Sequence, residues 1–279
     1  MDALFLTTLA AAHTTADTRG SAGLAAGWIG SLFALLFPER AVELLPAPDA
    51  IEVKHARVLR DLVHLLTSLP AALGLPASPA DLAAAFADAL PAIREALLAD
   101  AAFLAAADPA ATSAAEVIST YPGFYATAIY RVAHALYHLD VPRLPRILTE
   151  IAHSRTGIDL HPGAHIASPF GIDHGTGLVV GATAVIGQSV LLYQGVTLGA
   201  IHVEKALARQ KRHPTIGDHV VIYAGATILG GSTVVGAHSI IGGNVWLTRS
   251  VPAYSRVYHR AQVDVRAAEG PAEGLMFEI

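Results

Sequence analysis

From residue 160 onward, large apolar residues recur at every sixth position. The run is Leu160, Ile166 and Ile172, then Val180, Ile186, Leu192 and Leu198, then Ile216, Ile222, Ile228, Val234, Ile240 and Trp246. Four places after many of them the chain is small or branched, as at Ala184, Val190, Val196, Val220, Ala226 and Ser232. Neither an α-helix nor a half-buried strand has this period. It is the period of a parallel β-helix, in which each hexad forms one short side of a triangular coil and three hexads complete a turn. One coil cannot cover its own apolar face, so the inward residue of each hexad must stack on its equivalent in the next coil. All thirteen positions are therefore expected to point inward.

The beat breaks twice. Ile172 and Val180 are eight residues apart, two too many, and the surplus falls in Asp173-His174-Gly175-Thr176-Gly177. Leu198 and Ile216 are eighteen apart, and the intervening hexad positions are Glu204 and Gln210, which cannot stack inside. Ala200 to Pro214 is thus predicted to leave the coil as an extended loop rich in Lys205, Arg209, Lys211, Arg212 and His213. A regular coil needs neither feature, and loops on a rigid scaffold are where function concentrates.

Ahead of residue 155 the periodicity is helical. Ile51, Val58, Leu59, Leu62, Leu65 and Leu66 form one stripe. Ser78-Pro79-Ala80-Asp81 has the serine cap and first-turn proline of a helix start. Beyond Tyr121-Pro122-Gly123, Phe124, Ala128, Val132, Ala135 and Leu139 share one face, while Arg131, His134 and His138 share another. A short last helix is expected near Ile147 to Ala152. The fold class is therefore α+β: an α-helical N-terminal domain over 1–154, a β-helix over 155–262, and a flexible C-terminal tail over 263–279.

Composition narrows the partners. A formal charge of −5 without a basic stripe argues against nucleic acid and anionic membrane. The absence of cysteine removes disulfides and thiolate metal sites. The most membrane-like stretch, Ala22 to Phe37, falls short of the ~20 apolar residues a spanning helix needs and is closed by Pro38. The Met-Asp start lacks the basic region of a secretory signal, so a cytoplasmic location is expected.

The segments TGIDLHPGAHI (156–166), IDHGTGLVVGATAVIG (172–187), LYQGVTLGA (192–200), KRHPTIGDHVVI (211–222) and ATILGG (226–231) closely resemble serine O-acetyltransferase, of the left-handed β-helix, hexapeptide-repeat acyltransferase superfamily. The likeness reaches back through DPAATS (108–113) and YPGFYATAIYRVAHAL (121–136). The hexads identify only the superfamily, whereas DLHP, DHGTG and KRHP together are far more specific. The resemblance implies a left-handed coil, against the usual crossover hand. It also implies transfer of acetyl from acetyl-CoA to the hydroxyl of L-serine, as a step of cysteine biosynthesis, with no metal.

On this resemblance His174 is the general base, since an imidazole with a pKa near ~6.5 can take a hydroxyl proton at neutrality. Asp159 is the acid that orients it. Asp108 and Asp173 would meet the serine ammonium. Arg212 and His213 would meet its carboxylate, an arginine fork suiting that group, and His213 could also assist the developing oxyanion. Ala200, Ala224, Gly225, Gly242 and Gly243 would line a groove for CoA. Each residue also has a plainer reading, as a corner histidine, a turn aspartate, a solvated basic loop or simple coil geometry. His134, His138, His219 and His238 are read as ordinary surface or interface residues. Two other enzyme readings are a hexapeptide acetyltransferase acting on a sugar and a zinc carbonic anhydrase built on His161, His174 and His213. A third reading is a non-catalytic scaffold for cysteine synthase.

The chain also departs from the family pattern. The loop is longer than usual, and the Gly-x-Pro-Ala-basic ending after Val251-Pro252 is replaced by YSRVYHRAQVDVR (254–266), where Arg256 or Arg260 could face the CoA phosphates. The family further implies a homotrimer or a dimer of trimers, feedback inhibition by L-cysteine, and docking of the terminal Ile279 into cysteine synthase.

Overall fold

A computed structural model describes residues 2–15, 21–201 and 210–260. Among these residues seven α-helices precede fourteen short strands: α1 (Ala3–Thr15), α2 (Ser21–Leu36), α3 (Pro48–Thr67), α4 (Pro79–Ala107), α5 (Ala114–Thr120), α6 (Pro122–His138) and α7 (Leu144–Thr156), then β1 (Asp159–Leu160) through β14 (Arg256–Val257). The helix signals act as read. Ser78 accepts from the Asp81 N–H, with Pro79 in the first turn of α4. The α3 stripe buries Val58, Leu62, Leu65 and Leu66. The α2 segment is a core helix that buries Trp28, Ile29, Leu32 and Phe33. No helix among the described residues is long and apolar enough to cross a membrane. The last helix, α7, is longer than expected because it runs on to a left-handed cap at Gly157.

The strands wind as a parallel β-solenoid. Sheet A stacks β1, β4 (Val179–Val180), β7 (Thr197–Gly199), β10 (Thr227–Leu229) and β13 (Trp246–Leu247); sheet B stacks β2 (His165–Ile166), β5 (Val185–Ile186), β8 (Thr215–Ile216) and β11 (Val234–Val235); and sheet C stacks β3 (Phe170–Ile172), β6 (Val190–Leu192), β9 (Val221–Ile222), β12 (Ile240–Ile241) and β14. The chain passes A to B to C and back to A, so three edges (AB, BC and CA) run the length of the prism. Leu160, Val180, Leu198 and Ile228 are inward and buried along sheet A, and Ile166, Ile186 and Ile216 along sheet B.

After Ile228 the register slips by one residue, against the expectation from the hexads. Val234 is 43% exposed, Ile240 half-buried and Trp246 68% exposed, while Val235 and Ile241 are fully buried. The pairing agrees: Val235 sits opposite Ile216, Ile241 opposite Ile222, and Leu247 opposite Ile228. The extra residue lies in the Gly230-Gly231 turn. There Gly230 takes φ +103°, and a Cβ on Gly231 would lie 2.2 Å from the Lys211 carbonyl oxygen. The widened corner thus lies directly against the base of the long loop. Glycine suits the first position for its backbone angle and the second for its close approach. Thr233, rather than Ser232, then fills the small inward position.

One buried junction between the helices and the solenoid centres on Asp100. Both Asp100 oxygens, on α4, accept from Arg131 on α6 at 2.5 and 2.8 Å. Arg131 also donates to the Ile166 and Ala167 carbonyls, and Asp100 accepts from the Phe170 N–H. Burial pushes the Asp100 carboxyl above its usual range, and the Arg131 fork opposes that shift.

Candidate active site

The first break in the beat lies on the CA edge, between β3 and β4. His174 takes φ 58°, a left-handed corner that recurs at Ser189, His219, His238 and Asn244, so the turn belongs to the coil's own repertoire. The two surplus residues are what differ. They lift the imidazole out until its side chain is 70% exposed, while Asp173 beside it is only 15% exposed and is held to the Leu192 carbonyl through its N–H. His174 Nε2 lies 3.7 Å from Asp173 Oδ1.

The helices bring a second carboxylate to the same corner. Asp108 ends α4, and its Oδ2 accepts from the Tyr121 hydroxyl at 2.6 Å. That bond, then the Ala110 N–H, holds the Asp108 carboxyl below its usual range, with a smaller contribution from His174. The same bond pushes the Tyr121 hydroxyl up to about 12, so it stays a donor. Gly123 makes the approach feasible, because a Cβ there would lie 2.1 Å from the carbonyl oxygen of Ile172, one residue before Asp173.

Arg212 and His213 lie on the AB edge, where the long loop rejoins the coil at β8. Thr183 organises them. Its Oγ1 accepts from the Arg212 and His213 N–H groups at 2.9 and 3.1 Å. Its own N–H donates to His213 Nδ1 at 3.1 Å, and its hydroxyl faces the same nitrogen at 2.9 Å. Nδ1 is therefore an acceptor and the proton sits on Nε2. Burial, aided by Arg212, Lys211 and His161, lowers the His213 imidazole to about 4. It is a neutral donor at pH 7. Gly181 makes room for the ring, since a Cβ would lie 2.0 Å from His213 Cδ2. Lys211 ties the loop base down through the Thr183, His213 and Pro214 carbonyls. His161, on the same edge, is likewise lowered to about 4, chiefly by burial.

Asp159 stands on sheet A, the face between the two edges. Its Oδ1 pairs with Arg146 of α7 at 3.2 Å, and Arg146 also grips Glu150 at 2.5 Å. Among the described residues no hydrogen bond joins Asp159 to His174. Glu150, His153 and Asp159 offer donor atoms within 4.8 Å of one another. The Arg146 guanidinium bonds two of the three, so a cation's place there is already filled. His161, His174 and His213 do not gather into one such group within the chain.

The structure therefore brings Asp108, Asp173 and His174 together on one edge and His161, Arg212 and His213 on the next. Of the five proposed CoA positions, Ala224, Gly225, Gly242 and Gly243 continue the CA edge below His174, past the stacked rings of Tyr193 and Tyr223, 5.0 Å apart. Ala200 follows β7 on the AB edge, apart from them. Arg256 lies on β14 of sheet C, and Arg260 is exposed. The centre of the loop, with Lys205 and Arg209, and the tail with Ile279 lie outside the described residues. Tyr121, Arg146 and Thr183 were not singled out from the sequence. The YPGF and GAT segments that hold two of them carried no chemistry by themselves.

No family model matches the chain. A serine acetyltransferase of Synechococcus elongatus, described as plasmid, is 52% identical over 203 residues, covering 71% of this chain and 62% of that relative. The chain thus aligns with less than two thirds of that relative's length. Among solved structures, serine acetyltransferase 1 of Entamoeba histolytica in complex with L-cysteine superposes with a TM-score of 0.72 at 35% identity, over 82% of this chain and 85% of that one. A serine acetyltransferase in complex with CoA gives a TM-score of 0.57 at 27% identity, over 83% and 96% of the two chains.

Proposed function

The chain belongs to the serine acetyltransferase family, and on that premise we propose that it transfers the acetyl group of acetyl-CoA to the hydroxyl of L-serine. The observation that carries the reading is the exposed His174 imidazole on its two-residue bulge, with the Asp173 and Asp108 carboxylates at the same corner. Two carboxylates suit the ammonium of an amino acid, whereas a neutral sugar carries no cation to offset their charge.

In this reading Asp108 and Asp173 hold the serine ammonium and Arg212 holds its carboxylate. His174 takes the hydroxyl proton as the serine oxygen bonds to the thioester carbonyl carbon. The neutral His213 donates from Nε2 to the oxygen on which negative charge develops. When the carbon–sulfur bond breaks, His174 returns its proton to the departing thiolate, and O-acetyl-L-serine and CoA result. Asp159 supports the imidazolium after leaving Arg146. The small residues of the CA edge leave room for the pantetheine arm.

The two half-sites lie at opposite ends of one prism face. A six-residue side at ~3.3 Å per residue is roughly 20 Å, far longer than a serine. A second copy that sets its AB edge against the first copy's CA edge would bring Arg212 and His213 to His174, and three copies would close that head-to-tail contact into a ring. Pairing of two such trimers through their helices, inhibition by L-cysteine at the serine site, Ile279 docking into cysteine synthase and a cytoplasmic location belong to the same proposal.

The test is turnover of acetyl-CoA with L-serine by the wild type and by His174→Ala. Loss of general-base catalysis should lower kcat by about 10²- to 10⁴-fold. Full activity in the variant would overturn the assignment.

A further inference from the structure

The CA edge carries an aromatic ladder with one rung missing. Asp173, Tyr193, Tyr223 and Gly242 occupy the same corner of successive coils. Each donates its N–H to the last residue of the strand below, at Leu192, Ile222, Ile241 and Val257 in turn. Tyr258 directly follows β14 and so stands next in line. Rungs of such a stack lie ~4.8 Å apart. Tyr193 and Tyr223 fill neighbouring rungs, with ring centres 5.0 Å apart and planes 13° from parallel. Gly242 puts no side chain on the rung after them. A Cβ built on Gly242 would lie 3.5 Å from a ring carbon of Tyr258, so that ring floors the gap.

The gap has the dimensions of one flat ring. Tyr193 covers one face of Tyr223, and among the described residues no ring stacks on the other. Tyr223 and Tyr258 are two rungs apart, roughly 9.6 Å. Stacked rings have centres about 4.5–7 Å apart, so one ring fits between the two tyrosines and a second does not. Tyr223 is 44% exposed and Tyr258 66% exposed, so the gap is open from outside.

Its place on the edge indicates what enters it. The missing rung is three coils from Asp173, roughly 14 Å at that spacing. A donor whose thioester meets His174, and whose arm follows the small residues of this edge, carries its other end toward the gap. In CoA that end bears a planar purine. The edge between also holds an unmet acceptor. The side-chain oxygen of Gln194, beside Tyr193, is buried without a hydrogen-bond partner. An amide N–H of the pantetheine arm is a donor of the kind it lacks.

We propose that Tyr223 and Tyr258 sandwich the purine of acetyl-CoA over Gly242, which makes these two tyrosines the residues that favour a nucleotide-bearing acyl donor. The inference rests on the acetyl-transfer reading for the identity of that donor.

The test is isothermal titration of the full chain with CoA and with 4′-phosphopantetheine, which is the same arm without the purine nucleotide. Tyr258→Ala, at an exposed position, should bind CoA about 5- to 150-fold more weakly, the loss that follows when a stacked base loses an aromatic face. Tyr258→Phe should match the wild type, because the ring and not the hydroxyl is used. Tyr223→Leu keeps an apolar side chain against Tyr193 and should lose CoA affinity in the same range as Tyr258→Ala. Neither substitution should alter the affinity for phosphopantetheine. Equal loss for both ligands would mean that the tyrosines only shape the groove, and unchanged CoA affinity in Tyr258→Ala would mean that the purine lies elsewhere. Either result overturns the sandwich. A wild type that binds CoA through these tyrosines yet leaves L-serine unacetylated would sink the acetyl-transfer reading alone.

Discussion

His213 shows how little of a side chain's chemistry resides in the residue itself. A histidine before a proline in a basic loop is an ordinary solvated residue until Thr183, thirty positions earlier, caps its Nδ1 and burial lowers it to about 4. His161 is shifted in the same direction to the same value. In the unfolded chain both imidazoles protonate near ~6.5. Between there and about 4, the unfolded state binds more protons than the folded one, so stability falls as pH falls through that window. Above ~6.5 both forms are neutral and the effect vanishes. The unfolding midpoint should therefore drop between pH 6.5 and 4.5, and its slope with pH should flatten in the His161→Gln/His213→Gln double variant. An unchanged slope would mean that these two imidazoles are not held neutral by the fold. Asp173 and His174 stand out in the sequence because they fall in the two surplus residues of the hexad beat, whereas Asp108 stands out only through the family resemblance of its segment. Thr183, Tyr121 and Arg146 do not stand out, because their importance arises from contacts with segments distant along the chain.

At the level of strands, the hexad beat was readable through Ile228 and misleading beyond it. Val234, Ile240 and Trp246 keep the six-residue spacing and are all large and apolar, so the pattern alone gave no warning. The neighbours Val235, Ile241 and Leu247 are apolar too, which makes both registers look acceptable. What decides is the added residue at Gly230-Gly231, required by the Lys211 carbonyl packed against it. Since a one-residue slip exchanges inside for outside, the two registers make opposite predictions. Ile241→Ala should cost about 2–5 kcal/mol by emptying a filled interior position. Trp246→Ala should change stability by no more than about 0.5 kcal/mol, as surface changes do. Chemical denaturation of the two variants measures both. A larger loss at Trp246 would restore the uninterrupted hexad register.

At the scale of the molecule, the order of helical half and coil is legible in the periodicity, as are the two breaks proposed to carry function, but not that those breaks fall on two different edges. The lengths of the breaks identify DHGTG and KRHP as special, yet only the order of strands around the prism shows that one follows sheet C and the other sheet A. On the proposed roles, a general base on one edge and a carboxylate-binding arginine on the next cannot act on one serine within one prism. Chains carrying His174→Ala keep an intact AB edge, and chains carrying His213→Ala keep an intact CA edge. In rings assembled at random from equal amounts of both, half of the CA edges and half of the AB edges are sound. About one contact in four then joins two sound edges, if each contact is head-to-tail. Co-expressed variants should therefore recover about a quarter of wild-type turnover, although each alone is impaired. If both edges served the same chain's site, every chain would carry a defect and mixing would restore nothing. Turnover of the purified mixed assembly, set against each parent, separates the two arrangements.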